Sequence, residues 1–185
     1  GGGIKTLEDV ELRLAAGADK VVINTEAFHK PEFVSECAKI FGSQCIVISI
    51  DAKKVSPVSW EVFVGFGKEA TGVSPEILAK KMESMGAGEI LINSIDRDGK
   101  AGGFDLELVN NVVTSVSVPV VAMGGAGSPK HFAEVIDYAS PSGIAASNIF
   151  QYTENAVFEI NKHLYDANYK VRKPKIQSIT YVGDN

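Results

Sequence analysis

Cysteine and histidine are scarce in this chain of 185 residues. It contains two cysteines, Cys37 and Cys45, and three histidines, His29, His131 and His163. The cysteines have no cysteine or histidine partner at metal-ligand spacing, and the histidines are far apart. We therefore expect neither a disulfide framework nor a metal centre. Both cysteines are predicted to be buried free thiols in a protein of the reducing cytoplasm.

Long apolar runs and a strong charge of one sign are also missing. No apolar stretch reaches the ~18 residues that a membrane-spanning helix needs. The chain starts with glycines rather than a charged and then apolar segment, so we expect no signal peptide. The net charge is −5, from 18 basic and 23 acidic residues. This balance argues against nucleic acid or an anionic membrane as a partner.

The most informative feature that is present is an internal repeat. The run Gly-Gly-Gly-Ile at 1–4 has a near copy, Gly-Gly-Ala-Gly, at 124–127, which is 123 residues later. Each run leads into a helical pattern and then into a short apolar run closed by small polar residues. Asn24 and Ser147 end these runs at the same offset. Doubling the repeat gives about 246 residues, the size of an eight-fold β/α barrel.

Strand and helix patterns alternate along the rest of the chain. The periodicity predicts helices at 6–16, 31–41, 74–85, 105–115, 128–139 and 153–165, and strands at 19–24, 44–51, 89–94, 118–123 and 142–146. A β-hairpin is predicted within 54–72. This order predicts an α/β fold with a parallel sheet. A doubly wound open sheet would fit the alternation but leaves the repeat unexplained.

We therefore predict part of a (β/α)8 TIM barrel, covering roughly the last five and a half β/α units. Residues 1–166 would run from the end of strand 3 through helix 8, and residues 167–185 would form a C-terminal tail. Because no strand precedes the first glycine run, we expect the chain to begin inside a larger domain.

The two glycine runs predict anion sites. Glycine allows backbone N–H groups to approach an anion closely, and the helix that follows presents its positive end. Asn24 and Thr25 would add donors at the first run, and Ser147 at the second. Two such sites half a barrel apart suit a substrate with a phosphate at each end. The alternative is that the glycines only permit tight turns.

Carboxylates follow two of the predicted strands. Asp51 ends an apolar strand, where a carboxylate serves as a general acid or base, pairs with Lys53 or caps a turn. Asp98 lies in the loop 94–99 and is our second catalytic candidate. The alternative is a loop closed by an internal ion pair of Arg97 with its neighbouring aspartates. We regard Asp96 as the weakest candidate of the three.

Seven motifs together resemble the cyclase-subunit family of imidazole glycerol phosphate synthase. They are Gly-Gly-Gly-Ile (1–4), Ile-Asn-Thr (23–25), Phe-Gly-Ser-Gln (41–44), Ile-Asp-Ala-Lys (50–53), Gly-Ala-Gly-Glu-Ile-Leu (86–91), Ser-Ile-Asp-Arg-Asp-Gly (94–99) and Gly-Gly-Ala-Gly (124–127). The resemblance runs from residue 1 to about residue 165. It implies a duplicated half-barrel and a bis-phosphate substrate.

The family reaction, which the resemblance implies, combines a phosphoribulosyl-formimino aminoimidazole carboxamide ribonucleotide with ammonia from a partner glutaminase. It yields imidazole glycerol phosphate and an aminoimidazole carboxamide ribonucleotide, and it uses no metal or organic cofactor. Asp51 matches a principal catalytic aspartate and Asp98 an auxiliary one. The residues implied for phosphate binding are Gly2, Gly3, Asn24 and Thr25 at one end, and Gly99, Gly124, Gly125, Ala146 and Ser147 at the other.

Three departures from the family pattern matter. The first strands and the second principal aspartate are absent, so we expect this stretch alone to be inactive. Asn93 and Lys100 stand where the family more often has threonines. Residues 148–154 are similar to a sister group that, with a glutaminase-like partner, amidates nucleotide-linked sugars for surface polysaccharide. That activity is the alternative function. A scaffold or ammonia conduit without chemistry of its own is a third.

Overall fold

A mostly parallel sheet forms the centre of the computed structural model, which describes residues 1–175. The strands are β1 (Val21–Ile23), β2 (Ile46–Ser56), β3 (Ser59–Val64), β4 (Glu69–Ala70), β5 (Glu89–Ser94), β6 (Val120–Met123) and β7 (Gly143–Ile144). The parallel strands follow one another in the order β1, β2, β5, β6, β7, and β3 and β4 join antiparallel beside β2. The fold is of the (β/α)8 barrel type, with a sheet that is not closed across the described residues.

Helices follow the parallel strands and pack on one face of the sheet. They are α1 (Leu7–Ala15), α2 (Thr25–His29), α3 (Pro31–Phe41), α4 (Pro75–Ser84), α5 (Leu106–Val113), α6 (Pro129–Ala139), α7 (Asn148–Tyr152) and α8 (Ala156–Asp166). In the part of the chain that the structure describes, no helix is long and apolar enough to span a membrane. Residues 176–185 of the predicted tail lie outside the described residues.

The two faces of the sheet differ in burial, because successive side chains of a strand point to opposite faces. Ile48, Ile50 and Ala52 of β2 are fully buried with the core, as are Ile90 and Ile92 of β5. The residues between them are half-buried: Ser49 and Asp51 on β2, and Leu91 and Asn93 on β5. The second face is where the polar strand-end residues lie.

Strand β2 is longer than the sequence predicts. The predicted strand 44–51 ends at Asp51, whereas β2 continues to Ser56. The extension exists because the second half of β2 pairs with β3 in the predicted hairpin. Asp51 therefore lies inside a strand, opposite Phe63 of β3 on one side and Asn93 of β5 on the other.

Two short helices were not predicted. Helices α2 and α7 have five residues each, too few for a periodic apolar pattern to show. They begin at Thr25 and Asn148, again 123 residues apart, so the internal repeat extends to the local structure. The predicted helix 153–165 begins later than expected, at Ala156.

The remaining predictions differ from the structure mainly at the element ends. The helix 31–41 and the strand 89–94 are confirmed, whereas the strand 142–146 shortens to Gly143–Ile144. Ser74 precedes α4, but its side chain makes no capping hydrogen bond. Both cysteines are free thiols. Cys37 is buried, and this burial raises the pKa of its thiol to about 11. Cys45 is only half-buried, which corrects the expectation of burial.

Candidate functional site

Asp51 is held by two side-chain amides from the neighbouring strand ends. Asn24, which follows β1, donates from Nδ2 to Oδ2 of Asp51 over 2.9 Å. Asn93, on β5, donates from Nδ2 to Oδ1 over 3.0 Å. A carboxylate offers about four lone-pair positions, so roughly two stay available to a ligand. The carboxylate is therefore fixed in place without being saturated.

The ion pair with Lys53, one of the alternative roles for Asp51, is not formed within residues 1–175. The ammonium group of Lys53 lies instead 5.7 Å from the centroid of the Phe63 ring. Among residues 1–175, neutral amides and no cation hold the carboxylate of Asp51. This arrangement suits a group that exchanges a proton with a ligand.

Thr25 connects this cluster to the hairpin. Its hydroxyl donates to Oδ1 of Asn24 over 3.3 Å and accepts the backbone N–H of Gly65 over 3.1 Å. A continuous series of hydrogen bonds thus runs from the β3–β4 turn through Thr25 and Asn24 to Asp51. The position of the turn and that of the carboxylate are coupled through it.

The first glycine run lies beside β1. Gly2 and Gly3 are exposed, and a Cβ on Gly1 would lie 3.1 Å from Cβ of Val22. The helix after this run carries two acidic residues, Glu8 and Asp9, in its first turn. Oδ2 of Asp9 accepts the backbone N–H groups of Lys5 and Thr6, completing a capping box. These backbone hydrogen bonds, that of Lys5 first, lower the pKa of Asp9.

The second glycine run lies on the other side of Asp51. Gly124 is buried, and a Cβ there would lie 2.7 Å from Oδ1 of Asn93, so this backbone packs directly on a residue that holds Asp51. The carbonyl of Gly125 accepts the N–H of Gly103 over 2.8 Å. The two runs therefore lie on opposite sides of the strand that carries Asp51.

The loop after β5 is held by hydrogen bonds between its charged side chains and backbone groups, and not by ion pairs among the described residues. Arg97 makes no ion pair within residues 1–175 and donates to the carbonyl of Gly102 over 3.4 Å, so the alternative of an internal ion pair is not formed. Oδ2 of Asp96 accepts the N–H of Lys54 over 2.6 Å. Asp98 is exposed, and in the described part of the chain its carboxylate makes no hydrogen bond.

Two of the remaining predicted residues, Ala146 and Ser147, follow β7, and the third, Gly99, lies in the loop after β5. The carbonyl of Gly99 accepts Nδ2 of Asn148 over 3.0 Å, which attaches the loop after β5 to α7. Ser147 is the exposed residue that precedes α7, and its side chain makes no capping bond. Ala146 is half-buried beside it. Gly99, Ala146 and Ser147 therefore belong to one surface.

Sequence reasoning missed three polar groups of this region. Asn93 was noted only as a departure from the family pattern, and its Oδ1 has no hydrogen-bond partner within residues 1–175. The hydroxyl of Ser94, a residue only 2% exposed, also lacks one. Nε1 of Trp60 donates over 2.8 Å to the buried Asp105, which also caps α5. The single tryptophan was the available signal, because a buried indole N–H requires an acceptor.

No metal site is visible among the described residues. Within 1–175, no group of three or more histidine, cysteine, aspartate or glutamate side chains is arranged to hold a metal ion. The polar groups around Asp51 are two side-chain amides and the hydroxyl of Thr25.

The parallel strands, their helices and the polar cluster at the strand ends define a barrel-type α/β protein with a candidate ligand site at the carboxyl edge of its sheet. Comparison with known proteins narrows this class. The family model described as "Histidine biosynthesis protein" matches residues 1–155. The chain belongs to this family.

Three curated relatives carry the name "Imidazole glycerol phosphate synthase subunit HisF". The one from Endomicrobium trichonymphae is 43% identical over 173 residues, covering 94% of this chain and 66% of the relative. Those from Streptococcus mutans and Streptococcus sanguinis are 40% and 42% identical over 172 residues, covering 93% of this chain and 68% of each relative. The resemblance seen in the sequence is confirmed. The chain spans about two thirds of the length of these relatives.

Proposed function

We propose that this chain is part of the cyclase subunit of imidazole glycerol phosphate synthase and acts in histidine biosynthesis. The observation that carries the proposal is Asp51, which is held by Asn24 and Asn93 between two glycine runs. The names of the relatives support it, because all three are that subunit. Residues 1–166 would supply part of the barrel, and residues 167–185 a tail.

In this proposal Asp51 is a general acid–base that exchanges a proton with the reacting part of the substrate. Its two amide donors, Asn24 and Asn93, keep the carboxylate directed at the open face of the sheet. Asp98 would assist from the loop after β5, where its exposed side chain is free to meet a ligand. A second principal carboxylate would come from a part of the protein outside this sequence, so this stretch alone would be inactive.

The substrate we propose is the bis-phosphate ribonucleotide of the family reaction. The residues proposed for its phosphates are Gly2, Gly3, Asn24 and Thr25 at one end, and Gly99, Gly124, Gly125, Ala146 and Ser147 at the other. Their places on opposite sides of Asp51 support this assignment. The reacting atoms would then lie over the carboxylate when both phosphates are bound.

The proposed co-substrate is ammonia, delivered by a partner glutaminase. The word "subunit" in the names of the relatives supports a partner protein. The proposal includes no metal and no organic cofactor.

The deciding experiment is a turnover assay on the full-length gene product, with the bis-phosphate precursor and an ammonium salt. We expect turnover in the wild type and a loss of about 100-fold or more in Asp51→Asn, the range typical of a general acid–base group. Asp19→Asn is the matched control, because Asp19 is exposed and precedes β1 at the opposite edge of the sheet.

The assay also separates the alternatives. A folded full-length protein without turnover would contradict the cyclase and favour the amidation of nucleotide-linked sugars. A wild type that only activates the glutaminase would favour the scaffold or ammonia conduit. Turnover that survives Asp51→Asn would contradict the acid–base role of Asp51 but not the cyclase function.

A further inference from the structure

The turn between β3 and β4 contains an aromatic residue, Phe66, whose backbone has an unfavourable left-handed conformation. Gly65, Phe66 and Gly67 have φ angles of 60°, 64° and 73°, three successive left-handed residues. This conformation is uncommon for a residue with a side chain and is a genuine outlier for a bulky one. Phe66 is also 98% exposed, so its ring gains nothing from burial.

The turn lies at the edge of the candidate site. The N–H of Gly65 donates to Thr25, which begins the series of hydrogen bonds that ends at Asp51. On the other side, a Cβ on Gly67 would lie 3.4 Å from Cδ1 of Ile95, the residue that follows β5. The turn therefore reaches from the end of β1 to the end of β5, the two strands that flank Asp51.

The neighbours of Phe66 hold the strained backbone in place. The N–H of Lys68 donates to the carbonyl of Val64 over 3.2 Å, which closes the turn. Thr25 fixes its first residue. Because Gly65 and Gly67 have no side chains, the ring of Phe66 is the one side chain that these three positions present. A strained residue that its surroundings hold in place is more frequent at ligand sites than elsewhere.

We propose that Phe66 is a substrate-contacting residue whose ring packs on the planar heterocycle of the bound substrate. The inference rests on the proposed function, since the aminoimidazole carboxamide of that substrate is such a heterocycle. Aromatic side chains stack on heterocycles through their π-faces, which needs an exposed ring held at the mouth of the site. Phe66 would help to bind and orient the end of the substrate that lies over Asp51.

The test compares KM, kcat and thermal stability in the full-length gene product. Phe66→Gly removes the ring but keeps a residue that adopts φ of 64° without strain. We expect KM to rise about tenfold with kcat little changed, as for the loss of one stacking contact. The melting temperature should stay the same or rise. Phe66→Tyr, which keeps the ring, should keep KM within about twofold of the wild type.

Val58→Ala is the matched control, because Val58 is 81% exposed at the other turn of the same hairpin. Its KM should equal that of the wild type. An unchanged KM in Phe66→Gly, or a Phe66→Tyr that behaves like Phe66→Gly, overturns the stacking role while the cyclase stands. A lower melting temperature with unchanged KM points to a structural role and also overturns it. No turnover by the wild type overturns the proposed function and this inference with it.

Discussion

The side-chain amide of Asn93 donates to Oδ1 of Asp51 across 3.0 Å. The two residues lie directly opposite each other on the parallel strands β5 and β2, so the strand register brings them together. Oδ1 of Asn93 faces the backbone of Gly124 instead of a donor. Asn93 thus connects the candidate carboxylate with the second glycine run.

The first prediction concerns the charge at position 93. Asn93→Asp would place two carboxylates in contact, and like charges that close share a proton up to a higher pH. We expect the acid limb of the pH–rate profile to move up by about one pH unit. The measurement is kcat/KM against pH for the full-length gene product.

Asn93→Thr is the uncharged control for this change. It removes the amide without adding a carboxylate, so its acid limb should move less than that of Asn93→Asp, even if the rate falls. If Asn93→Asp left the acid limb in place, Asn93 would not be in contact with the group that titrates, and the catalytic role of Asp51 would lose its support.

The periodic elements could be predicted from the sequence, as could Asp51 and the paired glycine runs. These features depend on residues close together in the chain, such as the apolar run before Asp51. The hydrogen bond from Asn93 to Asp51 depends on the register of two strands 42 residues apart. The sequence pattern contains no information on that register. Helices α2 and α7 were missed because five residues make less than two turns.

The second prediction concerns two glycines with positive φ, and it separates the conformational cost of a side chain from the cost of a steric clash. Gly17 has φ of 98° with nothing within 4 Å of a Cβ, so Gly17→Ala should lose only the conformational cost, about 1 kcal/mol of unfolding free energy. Gly125 has φ of 106°, and a Cβ there would overlap the carbonyl oxygen of Gly103. Gly125→Ala should lose about 3 kcal/mol, since a backbone clash is added.

Urea unfolding of both variants measures the difference. Equal losses would show that the loop 99–103 moves aside at little cost, and that the close packing of Gly125 on Gly103 is not a constraint on the site. A larger loss in Gly125→Ala, together with a raised KM, would agree with a loop that must stay closely packed to bind a phosphate.

The third prediction concerns the attachment of the hairpin to α5. Asp105 is 6% exposed, and its carboxylate accepts Nε1 of Trp60 over 2.8 Å and the N–H of Leu108 over 3.3 Å. Lys54 lies over the Trp60 ring, 4.8 Å from its centroid, and its ammonium group is 3.8 Å from Oε2 of Glu107. The buried hydrogen bond of Trp60 and the exposed ion pair of Lys54 both connect the β2–β3 hairpin with the first turn of α5.

We expect the buried hydrogen bond to stabilise the fold more than the exposed ion pair does. Trp60→Phe removes the donor and leaves a buried carboxylate with one partner, which should lower the free energy of unfolding by about 1–3 kcal/mol. Glu107→Gln removes only an exposed pair and should cost less than about 1 kcal/mol. Urea unfolding of the full-length gene product measures both. Equal small losses of unfolding free energy in the two variants would contradict a stabilising role of the Trp60–Asp105 hydrogen bond. A clear loss in Trp60→Phe alone would show that the hairpin bearing Phe66 is held to the barrel through Asp105.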